Sequence, residues 1–559
     1  MSTATVTTFL SGTGGFNIDS GIVTLSGSNS FAGGTTVSAT LKVGSSTALP
    51  NGAAVSDVSL AGGILDLNGT NAIVNGLNGT GTLDNTSPTN ASTLTIGNDN
   101  ESSSLSSITI QNSGGTNLAL VKIGTGDLAL ASANTFGGGV TVSNGSVTLG
   151  NNTGAGTGVI TLAGGTLFNN ATITVPNNLF AQAGTTSIID NGAAANLTLN
   201  GGFTGSGTLT RGSSQIDSLY LNGDDSGFTG VYQDQNSANS ITRFSAATAG
   251  SASARWIFNQ AQNLTRTALQ FTGGTIRFGS VSGAGYLSEN GAFTNTVEVG
   301  ALGLNDTFTG SFQDNGGVLS LTKVGTGTLT MSGANAYNGL TTVSNGTLVV
   351  STAFAGGGDF VVNDNTTLGV TNNAGTQAAE LGNLTLGNSA GPTTLFFNNV
   401  INPTTPVINA SAVVTVNGQC HLVISNSILN SGGVYPLVQY GSLVNPGGLV
   451  LASLPAGVVA TLTNDTSNFW LALRVSVGNG VSTNAATVNF KATVAGATGS
   501  QTMNFNWAPD HQGWQLYTNA VGLTATSSWF PVPGSATVTN ESLAIDPKHA
   551  NVFFQLRYP

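Results

Sequence analysis

Lys122 to Gly150 reads KIGTGDLALASANTFGGGVTVSNGSVTLG, and Lys323 to Ser351 reads KVGTGTLTMSGANAYNGLTTVSNGTLVVS. The two stretches align without a gap, and close to half of their positions are identical. A third copy runs from Gly21 as GIVTLSGSNSFAGGTTVSATLKVG, with Asn29 and Phe31 matching Asn134 and Phe136, and Asn335 and Tyr337. Within the unit, Leu128 and Leu130 alternate with polar residues, the pattern of a half-buried strand. Gly137 to Gly139 breaks that strand, and Val140 and Val142 begin the next. Asn144-Gly145 supplies residues that tolerate positive φ in a tight turn, after which Val147 and Leu149 continue.

Other units lie between these copies. Ala61-Gly-Gly-Ile-Leu-Asp-Leu67 resembles Ala163-Gly-Gly-Thr-Leu-Phe-Asn169 and Thr272-Gly-Gly-Thr-Ile-Arg-Phe278, and Phe228-Thr-Gly-Val-Tyr-Gln-Asp234 pairs with Phe308-Thr-Gly-Ser-Phe-Gln-Asp314. Short strands joined by glycine turns and repeated along a chain predict a solenoid. The expected fold is all-β: a right-handed parallel β-helix of roughly 20 to 25 residues per turn, followed by a small β-sandwich-like domain. The expected divisions are residues 1–394 for the repeats, 395–480 for terminal coils or a cap, and 484–559 for a small all-β module holding Trp507, Trp514 and Trp529. Asn29, Asn134 and Asn335 are too far apart in sequence to stack directly on one another.

Composition agrees with many short strands. Charged residues make up 6% of the chain, against about 25% in an ordinary soluble protein. Glycine supplies 79 of 559 residues, and helix formers such as Glu, Lys, Arg and Met are scarce. The net charge of -11 and the scattered Lys and Arg exclude a nucleic-acid partner, which needs a basic patch. No apolar run is long enough to predict a transmembrane segment. The opening MSTATVTTFL lacks both the basic and the apolar region of a signal peptide. The expectation is a secreted or cell-surface chain that starts after a processed leader, or one to which Met1 was added. One cysteine, Cys420, forms no intrachain disulfide and reads as a buried thiol.

GTGTLTMSGANAYNGLTTVSNGTLVV from Gly325 resembles the autotransporter-associated β-strand repeat of secreted bacterial proteins, as do ALPNGAAV from Ala48 and LDLNG from Leu65. The resemblance covers most of residues 15 to 480. It implies a β-solenoid outside the cell and no particular activity. GWQLYTNAVG from Gly513, WFPVPGS from Trp529 and FFQLRYP from Phe553 resemble a C-terminal module of large secreted bacterial repeat proteins. Autotransporters end in a membrane β-barrel far longer than residues 484–559, which lack successive ten-residue barrel strands. The expectation is a chain without its own pore.

Polysaccharide-degrading β-helices need paired carboxylates facing one bond, or a base beside a carboxylate cluster. Asp224-Asp225 is the lone Asp-Asp pair, and the histidines are His421, His511 and His549, with no Gly-His-Gly. The chain is therefore expected not to be an enzyme and to use no cofactor. Asn222-Gly-Asp-Asp225, Asn98-Asp-Asn-Glu101 and Asn363-Asp-Asn365 offer oxygen ligands for calcium or form plain turns. Trp507, Trp514 and Trp529 suit either a sugar-stacking platform or a domain core.

Two functional expectations follow. In the first, the solenoid assembles with copies of itself into a fibre or surface layer. The stretch TATVTTFLSG, with Thr5, Val6, Thr7, Thr8 and Phe9, carries no charge or proline and reads as an open strand. In the second, the solenoid is a stalk and residues 484–559 are an adhesin head for cell-surface glycans.

Overall fold

The computed structural model describes residues 2–192, 195–212, 218–235, 241–259, 266–373, 377–478, 491–496, 501–508, 511, 513–522, 528–544 and 552–558. The chain divides into two compact units, Met1–Leu348 and Val349–Pro559.

In the first unit, parallel strands stack coil upon coil, giving a parallel β-solenoid. One seven-stranded sheet runs from Ala72–Val74 to Phe203–Gly205, and a nine-stranded sheet runs from Ser103–Ser104 to Ser280–Ser282. A third sheet of seven strands begins at Ile173–Val175 and ends at Ser311–Gln313. The number of strands per coil varies along the unit: Ser92–Ile96, Ser103–Ser104 and Ile108–Ile110 give one coil three, whereas the next has Leu118–Lys122 and Asp127–Leu130. The period-2 alternation of the sequence sends one set of side chains inward. Leu94, Leu120, Val140, Ile160, Leu179 and Phe203 lie in consecutive register and all are buried. Thr95, Val121, Thr141 and Thr161 form the matching outer row.

Coils vary in length more than the sequence pattern predicts. Ile22 registers with Thr40, whereas Leu384 in the second unit registers with Val414. The glycine turns absorb these differences. Gly145 and Gly346, the glycines of the recurrent Asn-Gly pair, sit at φ +64° and +69°, where a Cβ is disfavoured. A Cβ on Gly145 would also lie 2.3 Å from the Gly126 oxygen.

Midway along the first unit the core changes character. Tyr232, Phe244, Trp256, Phe258 and Phe278 are buried together, with the Trp256 and Phe278 rings 5.0 Å apart. Arg211 and Asp234 occupy consecutive inward positions of a column that from Leu128 to Phe258 is otherwise Leu, Val, Ile and Phe. Both are fully buried.

The second unit starts with the same parallel stacking. Thr367–Thr371, Thr393–Asn398, Cys420–Ser425 and Leu449–Ser453 follow one another in register. The pattern then reverses. Trp470–Val477 pairs antiparallel with Val434–Val444 on one side and with Val459–Asp465 on the other. Two small antiparallel sheets follow. Lys491–Ala495, Thr502–Asn506 and Asn540–Ala544 form one, and Gln515–Asn519, Phe530–Pro531 and Phe553–Arg557 form the other. Phe505, Trp507, Leu516 and Val532 bury between them, as a small sandwich requires.

Candidate functional site

The three repeats share a hydrogen-bonding device built on their asparagine. Asn134 Oδ1 accepts the Ile110 N–H at 2.9 Å from the coil before, and its Nδ2 donates to Gly154 O at 2.8 Å in the coil after. Asn29 does the same, accepting from Leu10 at 2.9 Å and donating to Ala48 O at 2.8 Å. Asn335 accepts from Phe312 N–H at 2.8 Å and turns its amide to Gly333 O at 2.9 Å within its own turn. Each clamp is accompanied two residues on by a buried ring: Phe31, Phe136 or Tyr337. These asparagines therefore fasten their coil to the coil before, and Asn29 and Asn134 also to the coil after, rather than stacking on one another.

A second device recurs at Lys122 and Lys323. Both are buried. Lys122 Nζ donates to Ile123 O and Gly124 O at 2.5 and 2.8 Å, and Lys323 Nζ donates to Val324 O, Gly325 O and Asn345 O at 2.7, 2.9 and 3.2 Å. Burial pulls the Lys323 ammonium down to about 8, against the Asp306 carboxylate, which raises it. Lys122 registers with Val142 and Lys323 with Val343; at the first repeat Ile18 registers with Val37 and replaces the lysine. These cations looked isolated in the sequence because their acceptors are backbone carbonyls.

The other candidate residues fall as follows. Thr5 and Val6 belong to the strand Thr3–Val6, which pairs in parallel with Ile22–Leu25. The strand ends there. Thr7, Thr8 and Phe9 lie in an exposed bend, with Phe9 63% exposed, so the continuous strand expected over residues 3 to 12 is interrupted before Ser11–Gly12. A parallel ladder uses alternate residues. Ser2 O and Val6 O accept from Ile22 and Ser26, which leaves the N–H and C=O of Thr3 and Thr5 facing the other side. Among the described residues no strand pairs with that side.

Asp224 and Asp225 are adjacent but diverge. Asp224 is exposed and caps the turn to Ser226, whose N–H it accepts at 3.0 Å. Asp225 is buried and accepts the Phe203 N–H at 2.6 Å. Their carboxylates serve a turn and an inter-coil bond, and they converge on no common point. Asp364 is likewise engaged by the turn at Ser389–Gly391. Among the described residues, no three or more His, Cys, Asp or Glu side chains are placed to hold a metal ion. Cys420 is buried, which pushes its thiol up to about 11. His421 is half-buried beside it, the buried His511 packs its ring 5.1 Å from that of Trp514, and His549 lies outside the described residues.

The tryptophans do not form one exposed platform. Trp507 and Trp514 are 4% and 5% exposed. Trp529 is half-buried under the Arg557 guanidinium, 5.1 Å from its ring centre.

Residues 11–39, 120–149 and 321–350 match the model of the passenger-associated-transport-repeat. All three asparagine clamps and both buried lysines lie inside these segments. No curated protein and no solved structure matches the chain. The chain is thus an all-β protein with a parallel β-solenoid in which three segments match the passenger-associated-transport-repeat.

Proposed function

We propose that this protein is a non-catalytic extracellular structural solenoid that assembles with copies of itself by strand pairing at its first coil. Passenger-associated repeats and a stacked β-fold suit a surface-exposed structural role. The observation that carries self-assembly is the one-sided pairing of Thr3–Val6, with the polar backbone groups of Thr3 and Thr5 turned outward. Such an edge templates an incoming strand, and no charge or proline on residues 2 to 12 opposes it. Weak charge repulsion between chains acts in the same direction.

Thr5→Pro tests this reading. Proline removes an outward N–H while Ala4 and Val6 keep their bonds to the coil. Sedimentation of the purified chain should show concentration-dependent assembly that Thr5→Pro abolishes, with Tm unchanged within a few degrees. Monomers at all concentrations, or assembly indifferent to Thr5→Pro, would overturn it.

A further inference from the structure

Asp225 occupies the place that Asn29 and Asn134 fill in the repeats. Three bonds define that place. The first is the residue's own N–H, which donates forward to a threonine carbonyl: Asn29 to Thr47 at 3.1 Å, Asn134 to Thr153 at 3.3 Å, Asp225 to Thr248 at 2.8 Å. The second is Oδ1, which accepts a backbone N–H from the coil before: from Leu10, from Ile110 and, for Asp225, from Phe203. The third runs from Nδ2 to the residue after that threonine, Ala48 or Gly154. Its counterpart at Asp225 is the carbonyl of Ala249. A carboxylate has no proton to donate there, and Asp225 Oδ2 is buried without a hydrogen-bond partner. A buried ring again follows shortly, here Phe228.

We propose that the folded solenoid holds Asp225 as the neutral carboxylic acid, its Oδ2–H donating to Ala249 O, and that loss of this proton loosens the seam between the two coils. An ionised Asp225 would face a carbonyl across a dry contact, whereas the acid reproduces the asparagine clamp. Among the described residues, the adjoining coils offer no compensating cation. The coil before contributes residues 201–207 and the coil after residues 245–254, and neither stretch contains a titratable side chain. The neighbours that do titrate are the exposed Asp224, whose charge disfavours a second one beside it, and the buried Tyr232, which burial keeps as the neutral phenol. Burial, first, and then the Asp224 charge push the Asp225 carboxyl up to about 8, against the Phe203 N–H, which lowers it.

The direction of the pH effect follows. Below about 3.9 the unfolded chain is also protonated at this residue, and the acid clamp contributes in full. As pH rises, the unfolded chain gives up its proton while the folded one keeps it. The contribution therefore shrinks by a factor of about ten in the folding equilibrium per pH unit, and it is gone once pH passes the folded value near 8. Asp57, Asp190, Glu289 and Asp306 are also raised by burial, so only a comparison with a variant isolates Asp225.

The test is amide hydrogen exchange at Phe203 and Asp225, with thermal unfolding, between pH 5 and 9 for the full chain and two variants. Asp225→Asn should remove the excess pH dependence, so that its advantage over the parent grows towards pH 8 and then levels. Asn134→Asp should acquire the same dependence at Ile110 and Asn134. Parallel pH curves for the parent and Asp225→Asn overturn the proposal. Should Asp225→Asn fail to fold, Asn134→Asp decides: excess pH dependence of exchange at Ile110 supports the acid clamp, and its absence refutes it.

Discussion

Asn134 satisfies two buried backbone groups that belong to different coils. Truncating it strands the Ile110 N–H and the Gly154 carbonyl together. Asn134→Ala should cost about 2–6 kcal/mol, since each of the two orphaned buried groups costs about 1–3. Exchange at Ile110 should accelerate while Ile18, many coils away, is unaffected. The sequence displays Asn29, Asn134 and Asn335 plainly as a recurrence but hides their role. Their partners are main-chain groups, which every residue carries, so no sequence signal marks them. The same reason concealed Lys122 and Lys323, whose acceptors are carbonyls. Asp225 was hidden differently: beside Asp224 in a Gly-rich stretch it reads as a solvated turn, and only the bonds to Phe203 and Thr248 place it at a clamp.

Strands were more legible than corners. The alternation around Leu128 and Leu130, and the Asn-Gly turn after Val142, appear in the structure as the strands Asp127–Leu130, Val140–Val142 and Ser146–Leu149. Periodicity reports which face of a strand is buried, but it does not report how many residues a bend contains. Coil length therefore ranges more widely than the repeats suggest. The bend at Thr7–Phe9, where an unbroken strand was expected, escapes for the same reason. Within a sheet, the energy lies in columns. Leu120 sits between Leu94 and Val140 and is fully buried. Leu120→Ala should destabilise by about 2–5 kcal/mol. Because each coil touches mainly its neighbours, local exchange should quicken around Leu94 and Val140 first, ahead of global unfolding.

For the whole molecule, composition carried the fold class. A chain with 6% charged residues and abundant glycine cannot support an ordinary helical or α/β surface, but it suits outward rows of threonine over inward rows of Leu, Val and Ile. The antiparallel reversal at Trp470–Val477 and the burial of Trp507 and Trp514 were less accessible, because an aromatic residue has the same identity in a core and on a binding face. If the first coil is a pairing edge, as proposed, the solenoid extends by joining copies. Electron microscopy and fibre diffraction of the purified full-length chain test it most directly. Filaments or layers that grow with concentration are expected, with a repeat of about 4.8 Å along the stacking direction continuing through the joints. Uniform single particles over the whole concentration range would contradict it.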